Sequence, residues 1–118
     1  MGLSIDIQEE GGYLAITLVG EWALGELKDV AVVVAAESKS RGYSCVLVDA
    51  SGVSESPPEL DRFELGKQVA STLRGIKIAA VYRADYINKL FENTAVNRGA
   101  SIGIFSDKLA ALQWLMEG

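Results

Sequence analysis

The residues whose side chains could do chemistry follow directly after one of the most apolar segments of the sequence. That segment is residues 45–48, and the polar groups come next: Asp49, Ser51, Ser54, Glu55 and Glu59. Carboxylates and hydroxyls of this kind can hold a ligand hydroxyl, receive a phosphate group or contact a protein partner. In open α/β sheets, such contacts are usually made at the carboxyl ends of strands. We therefore predict a partner-binding loop at these five residues.

Each candidate also has a simpler structural interpretation. An aspartate that leaves a strand commonly accepts backbone N–H groups in a turn, and this role is favoured for Asp49. The two serines remain candidate phosphorylation sites, although most serines in such positions form turns. Ser56 and Glu59 have the spacing of a capping box, with Pro57 at the first helical position.

The composition disfavours catalysis. The chain has no histidine, which removes the usual general base near neutral pH and the commonest metal ligand. Neither G-x-x-x-x-G-K-[ST] nor G-x-G-x-x-G is present, so the common phosphate-binding loops are missing from the sequence. We therefore expect a protein that is not an enzyme and that uses no metal and no cofactor.

Composition also indicates one globular domain over residues 1–118. Apolar residues make up 49% of the chain and charged residues 23%, which is typical of a folded protein. No apolar run approaches the roughly 20 residues that cross a bilayer, and the N-terminus lacks the features of a secretory signal. The single cysteine fits a reducing compartment. These observations predict a cytoplasmic protein with no membrane span.

The charges are distributed unevenly along the chain. Its net charge is −5, with 3 Lys/Arg and 10 Asp/Glu in residues 1–59 but 8 and 6 in residues 60–118. An ordinary solvated surface is the simpler explanation, and a polarised face that helps to select a partner is the alternative. No basic stripe is present, so nucleic acid is not expected as a partner.

Hydrophobic periodicity predicts the element order ββαβαβαβα. Residues 3–8 and 13–19 alternate or run apolar on either side of Gly11-Gly12, which predicts an antiparallel hairpin. The later elements are a helix over 24–40, a strand over 45–48, a helix over 57–73, a strand over 77–82, a helix capped by Asp85, a strand over 101–105 and a helix capped by Ser106 or Asp107. The fold class is therefore α/β, with four helices and a mixed five-stranded sheet in which parallel strands follow the hairpin.

The predicted helices carry more apolar residues than one inward face needs. In the first helix the inward stripe is Leu24, Leu27, Ala31, Val34, Ala35 and Ser38. Val30, Val32 and Val33 do not all fit on that stripe, so they either form a second apolar face for a partner or homodimer, or lie deeper in the fold. Later inward residues are Leu60, Phe63, Ala70 and Leu73 in the second helix, and Leu109, Leu112, Leu115 and Met116 in the last.

Several aromatic residues could line a small apolar pocket, although core packing is the default for aromatics at these spacings. They are Trp22, Phe63, Tyr82, Tyr86, Phe91 and Trp114.

The element order and the segment VLVDASGV at residues 46–53 resemble a STAS domain, the fold of bacterial SpoIIAA-like anti-sigma factor antagonists and of sulphate transporter tails. The segments DRFELG at 61–66 and NRG at 97–99 resemble small free-standing bacterial proteins of the same SpoIIAA-like superfamily. The resemblance covers nearly the whole chain in element order. It implies a regulatory module that binds a protein partner.

The sequence departs from the antagonists where their regulatory serine stands. In those proteins a serine within Asp-Ser-Ser-Gly, at the start of a helix, is phosphorylated by a partner kinase. Here an ungapped reading places Pro57-Pro58-Glu59-Leu60 at that position. The resemblance therefore implies a module without the phosphorylatable serine motif, in which Glu59 either imitates a phosphate in part or simply caps the helix.

Two functions are favoured from the sequence, and the third and least favoured is an enzyme, which would need a convergent cleft of carboxylates, lysine or tyrosine with perturbed acidity. The first is a non-catalytic regulatory or protein-interaction module that uses the predicted loop. The alternative is a protein that binds a small apolar molecule or lipid in a pocket walled by the valine-rich first helix and the aromatic residues.

Overall fold

The computed structural model describes residues 2–54 and 57–117, which form a five-stranded sheet and four α-helices in the predicted order. The elements are β1 (Ser4–Glu10), β2 (Tyr13–Glu21), α1 (Leu24–Arg41), β3 (Cys45–Ser54), α2 (Glu59–Thr72), β4 (Lys77–Val81), α3 (Lys89–Asn97), β5 (Ser101–Phe105) and α4 (Lys108–Met116). The strands lie in the order β1-β2-β3-β4-β5, with β1 antiparallel to β2 and every later pair parallel. The predicted fold class is confirmed.

The hairpin at one edge of the sheet is fixed by its turn. Glu10 pairs with Tyr13, so the loop between β1 and β2 has two residues, Gly11 and Gly12. Gly12, the second loop residue, has a φ of 99°, which residues with a side chain rarely adopt. Gly11-Gly12 therefore forms the turn, as the sequence predicted.

The helices lie on both faces of the sheet. α1, α2 and α3 cover one face, because successive crossovers that advance in one direction place their helices on the same side. α4 follows the last strand and packs on the opposite face, against β3, β4 and β5. The first core includes the fully buried Leu14, Ile16, Val34 and Val46, and the second includes Leu47, Ala79 and Leu115.

The α4 side of the hairpin strands faces solvent. Thr17 and Val19 point to that side from β2 and are exposed.

In residues 2–54 and 57–117, no helix is both long enough and apolar enough to cross a bilayer.

β3 occupies the centre of the sheet, as predicted, but it is longer than the apolar run at residues 45–48. The prediction that Asp49-Ala50-Ser51-Gly52 leaves the strand is wrong, since the strand continues to Ser54. β2 extends alongside and pairs Val19 with Gly52 and Glu21 with Ser54. The neighbouring strand thus overrides the low strand propensity of Asp, Ser and Gly.

α2 begins two residues later than predicted. Pro58 is the residue that precedes the helix, it makes no side-chain cap bond, and Glu59 is the first helical residue. The capping box is therefore wrong for Glu59, and its other member, Ser56, lies outside the described residues. The cause is the second proline, which disfavours helical backbone in the residue before it and so keeps Pro57 outside the helix.

The start of α3 also differs from the prediction. Asn88 caps it by accepting a hydrogen bond from the backbone N–H of Leu90 at 2.9 Å. Asp85, the predicted cap, lies upstream in a short 3-10 turn. The prediction for α4 is confirmed, because Asp107 accepts from the N–H groups of the second and third helical residues.

Some predicted inward faces are wrong. Leu60, Leu109 and Met116 were expected inside and are exposed. In α1 the residues Leu27, Ala31, Val34 and Ser38 are buried, whereas Val32 and Val33 are exposed. α1 therefore presents two adjacent exposed valines, Val32 and Val33, outside its buried stripe.

Candidate functional site

The polar residues at the end of β3 are held by a β-bulge. Thr17 of β2 pairs with Asp49, and two residues later Val19 pairs with Gly52, so β3 contains one residue more than β2 over this stretch. The carboxylate of Asp49 accepts the backbone N–H of Ser51 at 3.0 Å and the Ser51 hydroxyl at 2.6 Å. A bulge leaves a backbone N–H without its ladder partner, and here the aspartate accepts it. Asp49 therefore accepts a backbone N–H as expected, but in a bulge within β3 and not in a turn.

The remaining candidates are not gathered into one constellation. The hydroxyl of Ser54 donates to the carbonyl of Gly20 at 3.3 Å and helps to join the ends of β3 and β2. Glu59 is exposed at the start of α2, and Glu55 lies outside the described residues. The structure therefore brings together Asp49 and Ser51 only, among the candidates that it describes.

An exposed leucine stands beside these polar groups in the chain. Leu60 is the second residue of α2 and is 69% exposed, and it follows the exposed Pro58 and Glu59. Both the end of β3 and the start of α2 lie at the carboxyl edge of the parallel strands, where ligands and partners of such sheets are usually bound. We refer to Asp49, Ser51, Ser54, Glu59 and Leu60 as the carboxyl-edge surface, which includes both faces of the sheet at this edge, because Asp49 lies on the α4 side and α2 packs on the other side.

A cavity of about 130 Å³ lies between the sheet and the layer formed by α1, α2 and α3. Its wall is almost entirely apolar, with Val30 and Val34 from α1, Val69 from α2, and Val48 and Ala80 from the sheet. Folded interiors are normally packed to the density of organic crystals, with few voids larger than a water molecule. A space of this size is therefore a feature of the molecule that calls for an explanation.

Polar groups occur at one end of the cavity. Arg62, Tyr82 and Asn88 line it together with Trp22. Trp22 follows β2, Tyr82 follows β4, and Arg62 and Asn88 lie at or near the starts of helices, so all four belong to the carboxyl edge. The indole N–H of Trp22 donates to Asp61 at 2.9 Å and connects the end of β2 to the first turn of α2.

Arg62 and Tyr82 influence each other electrostatically. Burial raises the pKa of the Tyr82 hydroxyl, and the positive charge of Arg62 offsets part of that rise. Arg62 is only 5% exposed, and its Nε–H donates to the carbonyl of Pro57 at 3.3 Å. The polar end of the cavity thus combines a buried cation with a phenol that stays protonated at neutral pH.

The prediction that aromatic residues could line a small apolar pocket is confirmed for some of them. Trp22, Tyr82 and Phe91 line the cavity, and Val30 of α1 does so as well. Trp114 instead packs against Phe105 beneath α4, at 5.7 Å between ring centroids. An apolar space is present where the sequence allowed one, and the first helix forms part of its wall.

A group of cations lies on the outer surface of the helix layer. Lys28, Lys67, Arg74 and Arg98 surround an open depression there, and Glu64 forms ion pairs with Lys28 at 3.9 Å and Lys67 at 3.4 Å. Three of these four cations belong to the more basic second half of the sequence, and Lys28 belongs to the acidic first half. These cations are solvated, and the exposed pairs contribute little to stability.

Comparison of the structure with solved structures identifies its fold. It matches an anti-sigma factor antagonist from Mycobacterium paratuberculosis at a TM-score of 0.69, with 13% identity over 98% of this chain and 96% of that one. The protein has a SpoIIAA-like fold. It also matches an uncharacterized DUF3478-family protein with this fold from Shewanella loihica PV-4, at a TM-score of 0.57 and 17% identity, covering 97% and 94% of the two chains.

A third match is the anti-sigma factor antagonist SpoIIAA in its unphosphorylated form, at a TM-score of 0.53 and 9% identity, covering 94% of this chain and 96% of that chain. No protein family and no curated protein matches the sequence itself. The likeness in the SpoIIAA-like fold is therefore one of architecture along nearly the whole chain.

Within this SpoIIAA-like fold, Arg62 lines the cavity, and it was not among the residues predicted from the sequence. The signal was available, since Arg62, Leu65, Val69 and Leu73 recur at helical spacing and all four are buried. A charged residue in register with a buried stripe indicates a cation that faces the interior. The exposure of Leu60 follows from the same stripe, because Leu60 lies off it.

Proposed function

We propose that this protein is a non-catalytic regulatory module that binds a protein partner through its carboxyl-edge surface. The observation that supports this best is the exposure of Leu60, a large apolar side chain that solvent surrounds at the start of α2. Apolar side chains at the centre of a polar rim are typical anchors of protein interfaces. The antagonists that share this fold are named for their action on an anti-sigma factor, and by analogy this chain would act by binding a protein partner.

The proposed contact does not use the serine switch of the antagonists. The segment that begins α2 is Pro57-Pro58-Glu59-Leu60, and it offers a carboxylate and an apolar side chain in place of a phosphorylatable serine. A carboxylate carries less charge and fewer acceptor oxygens than a phosphate. Binding would therefore be constitutive at this surface, and a cytoplasmic setting fits a module of this kind.

Replacing Leu60 with aspartate is expected to weaken capture of the partner at least about tenfold, since a side chain at the buried centre of an interface can contribute 2 kcal/mol or more and a buried carboxylate would add a cost of its own. Leu109→Asp is the matched control, because Leu109 is also the second residue of its helix and is 65% exposed. The measurement is quantitative mass spectrometry of proteins that tagged variants retain from a lysate of the native host. Thermal unfolding should be similar for the two variants.

Two results would contradict this proposal. One is equal capture by Leu60→Asp and the parent chain, and the other is equal loss in Leu60→Asp and Leu109→Asp. The double variant Asp49→Ala with Ser51→Ala extends the test to the bulge, and it should also weaken capture.

A second candidate function is the binding of a small apolar molecule in the cavity. Side chains that line an apolar space of about 130 Å³ lack packing partners on that side, and a ligand could supply them. A dry apolar cavity of about 150 Å³ is large enough to bind benzene, so a ligand with an apolar part of about six non-hydrogen atoms fits here.

Native mass spectrometry of the purified protein tests the second candidate. We expect a fraction of the molecules to carry one small organic molecule per chain, which denaturing conditions release. A protein that shows only the mass of the chain or of its oligomers, and that binds no added benzene-sized compound, would exclude ligand carriage. The same spectra report whether the exposed valines of α1 support a homodimer.

A further inference from the structure

The open depression on the outer surface of the helix layer concentrates positive charge on an acidic protein. We refer to Lys28, Glu64, Lys67, Arg74 and Arg98, which line it, as the basic depression. Among the described residues, four cations and one carboxylate give it a net charge of +3, whereas the whole chain has a net charge of −5. Like charges that are held near one another repel, so an anion that binds among them would be stabilised.

The positive charge is least compensated at one end of the basic depression. The two oxygens of Glu64 pair with the two lysines, at 3.9 and 3.4 Å. In the part of the chain that the structure describes, neither Arg74 nor Arg98 forms an ion pair with a carboxylate. Nη1 of Arg74 lies 3.7 Å from the position of a Cβ built on Gly99, the residue after Arg98. Two exposed guanidinium groups therefore lie near one another without a carboxylate.

Helix dipoles explain only part of this arrangement. Cations near the carboxyl ends of helices are favoured by the helix dipole, which suits Arg98 at the end of α3 and Arg74 just after α2. The dipole does not favour Lys28 near the start of α1 or Lys67 within α2. Lys67 and Arg98 both lie over the ring of Phe63, at 5.0 and 5.6 Å from its centroid. Three helices thus direct their cations toward one depression.

We propose that the basic depression binds an acidic segment of a protein partner, whose carboxylates pair with Arg74 and Arg98. A planar guanidinium matches a carboxylate in shape and charge. Lys67 and Arg74 are seven residues apart in sequence, which is about 10 Å along a helix, so an extended segment with several acidic residues fits the depression better than one small anion. Both arginines precede strands and so lie at the amino edge of the sheet, away from the carboxyl-edge surface.

Nucleic acid fits this depression less well than an acidic peptide. A net charge of −5 repels a long polyanion, whereas only a short segment of an acidic protein needs to approach. Proteins that bind single strands without sequence preference also stack bases on aromatic side chains. The described residues that line the depression include no aromatic residue. Charge complementarity of this local kind favours a protein segment.

Two peptides with the same uncharged dye test the proposal, one with four Gly-Glu repeats and the other with four Gly-Gln repeats. We expect the parent chain to bind the glutamate peptide at least about tenfold more tightly, because charge-assisted contacts are stronger than neutral ones. Fluorescence anisotropy measures both affinities. Raising NaCl from about 50 mM to about 500 mM should weaken the glutamate peptide at least about fivefold, since salt screens exposed charges.

A pair of double variants separates the basic depression from the overall charge of the protein. Arg74→Glu with Arg98→Glu should weaken binding of the glutamate peptide at least about tenfold. Lys39→Glu with Lys108→Glu is the matched control, because it changes the net charge equally at two exposed lysines outside the depression. It should bind within about twofold of the parent. All four residues are exposed, so both variants should fold, and Arg74→Gln with Arg98→Gln gives the same test without charge reversal.

Three results would overturn the proposal. They are equal affinities of the parent for the two peptides, equal losses in the two double variants, and tighter binding of an oligothymidylate of the same charge than of the glutamate peptide. The test is independent of the carboxyl-edge surface, because Leu60→Asp should bind the glutamate peptide as the parent does. Failure at either surface can therefore be told apart from failure at the other.

Discussion

A Gly66→Val variant is expected to lose about 3 kcal/mol of stability and to unfold roughly 10 °C lower than the parent chain. A Cβ atom at Gly66 would lie 2.9 Å from the Cβ of Thr94 and 3.0 Å from the carbonyl oxygen of Phe91. That oxygen belongs to the backbone of α3, so the overlap cannot be relieved by turning a side chain. α2 and α3 would have to separate along the contact that holds the helix layer together.

The matched control is Gly25→Ala in the first turn of α1. Nothing lies within 4 Å of a Cβ built there, so only helix propensity acts, and a gain of up to about 1 kcal/mol is expected. Gly66→Ala should fall between the two, at a loss of about 1 to 2 kcal/mol, because its propensity gain offsets part of the overlap. Urea unfolding measures all three. A Gly66→Val variant as stable as the parent would mean that the two helices are not in close contact.

The arrangement around Gly66 also shows why the element order was predictable when the helix faces were not. Apolar runs and turn residues mark each strand and helix through local signals, and these gave the hairpin and the alternation after it. The inward face of α2 is different, since its stripe contains Arg62 and Gly66. Neither residue has an apolar side chain, so neither was counted in the hydrophobic pattern. The remaining apolar residues then predicted an inward face that contained Leu60 and Phe63.

The predicted end of β3 was wrong for a related reason. The end of β3 contains Asp49, Ser51 and Gly52, residues that rarely continue a strand. They do so here because β2 pairs with them and because the Asp49 carboxylate satisfies the bulge. The sequence could show that an aspartate and a serine lie two residues apart. It could not show which neighbour would run alongside them.

From the sequence, the cavity could be predicted only as an alternative to ordinary core packing. Its existence depends on small side chains from separate elements facing one another, among them Ala31 of α1, Ala50 of β3 and Ala80 of β4. Each alanine taken alone is an ordinary interior residue, and alanines in β4 predicted only a close helix approach. The unfilled volume is a property of the packed layers, which no single segment of the sequence encodes.

Two adjacent alanines of β4 should respond in opposite directions to the same substitution. Ala80→Val extends into the cavity and buries two more carbon atoms there, so a gain of about 1 to 1.5 kcal/mol is expected. Valine is also a better strand former than alanine. Ala79 points to the other face, is 0% exposed and packs beneath Ala111 and Leu115 of α4. Ala79→Val should therefore lose about 1 to 3 kcal/mol through overpacking.

The free energies of unfolding of these two variants should differ by about 3 kcal/mol in urea unfolding experiments. A difference of this size would show that the space under α1, α2 and α3 is not filled by protein atoms. The same Ala80→Val change should weaken binding of an added benzene-sized compound at least about tenfold, because it fills part of the volume that the compound would use. A destabilised Ala80→Val variant would show that the layers already close this space, and the cavity would then have no room for a ligand.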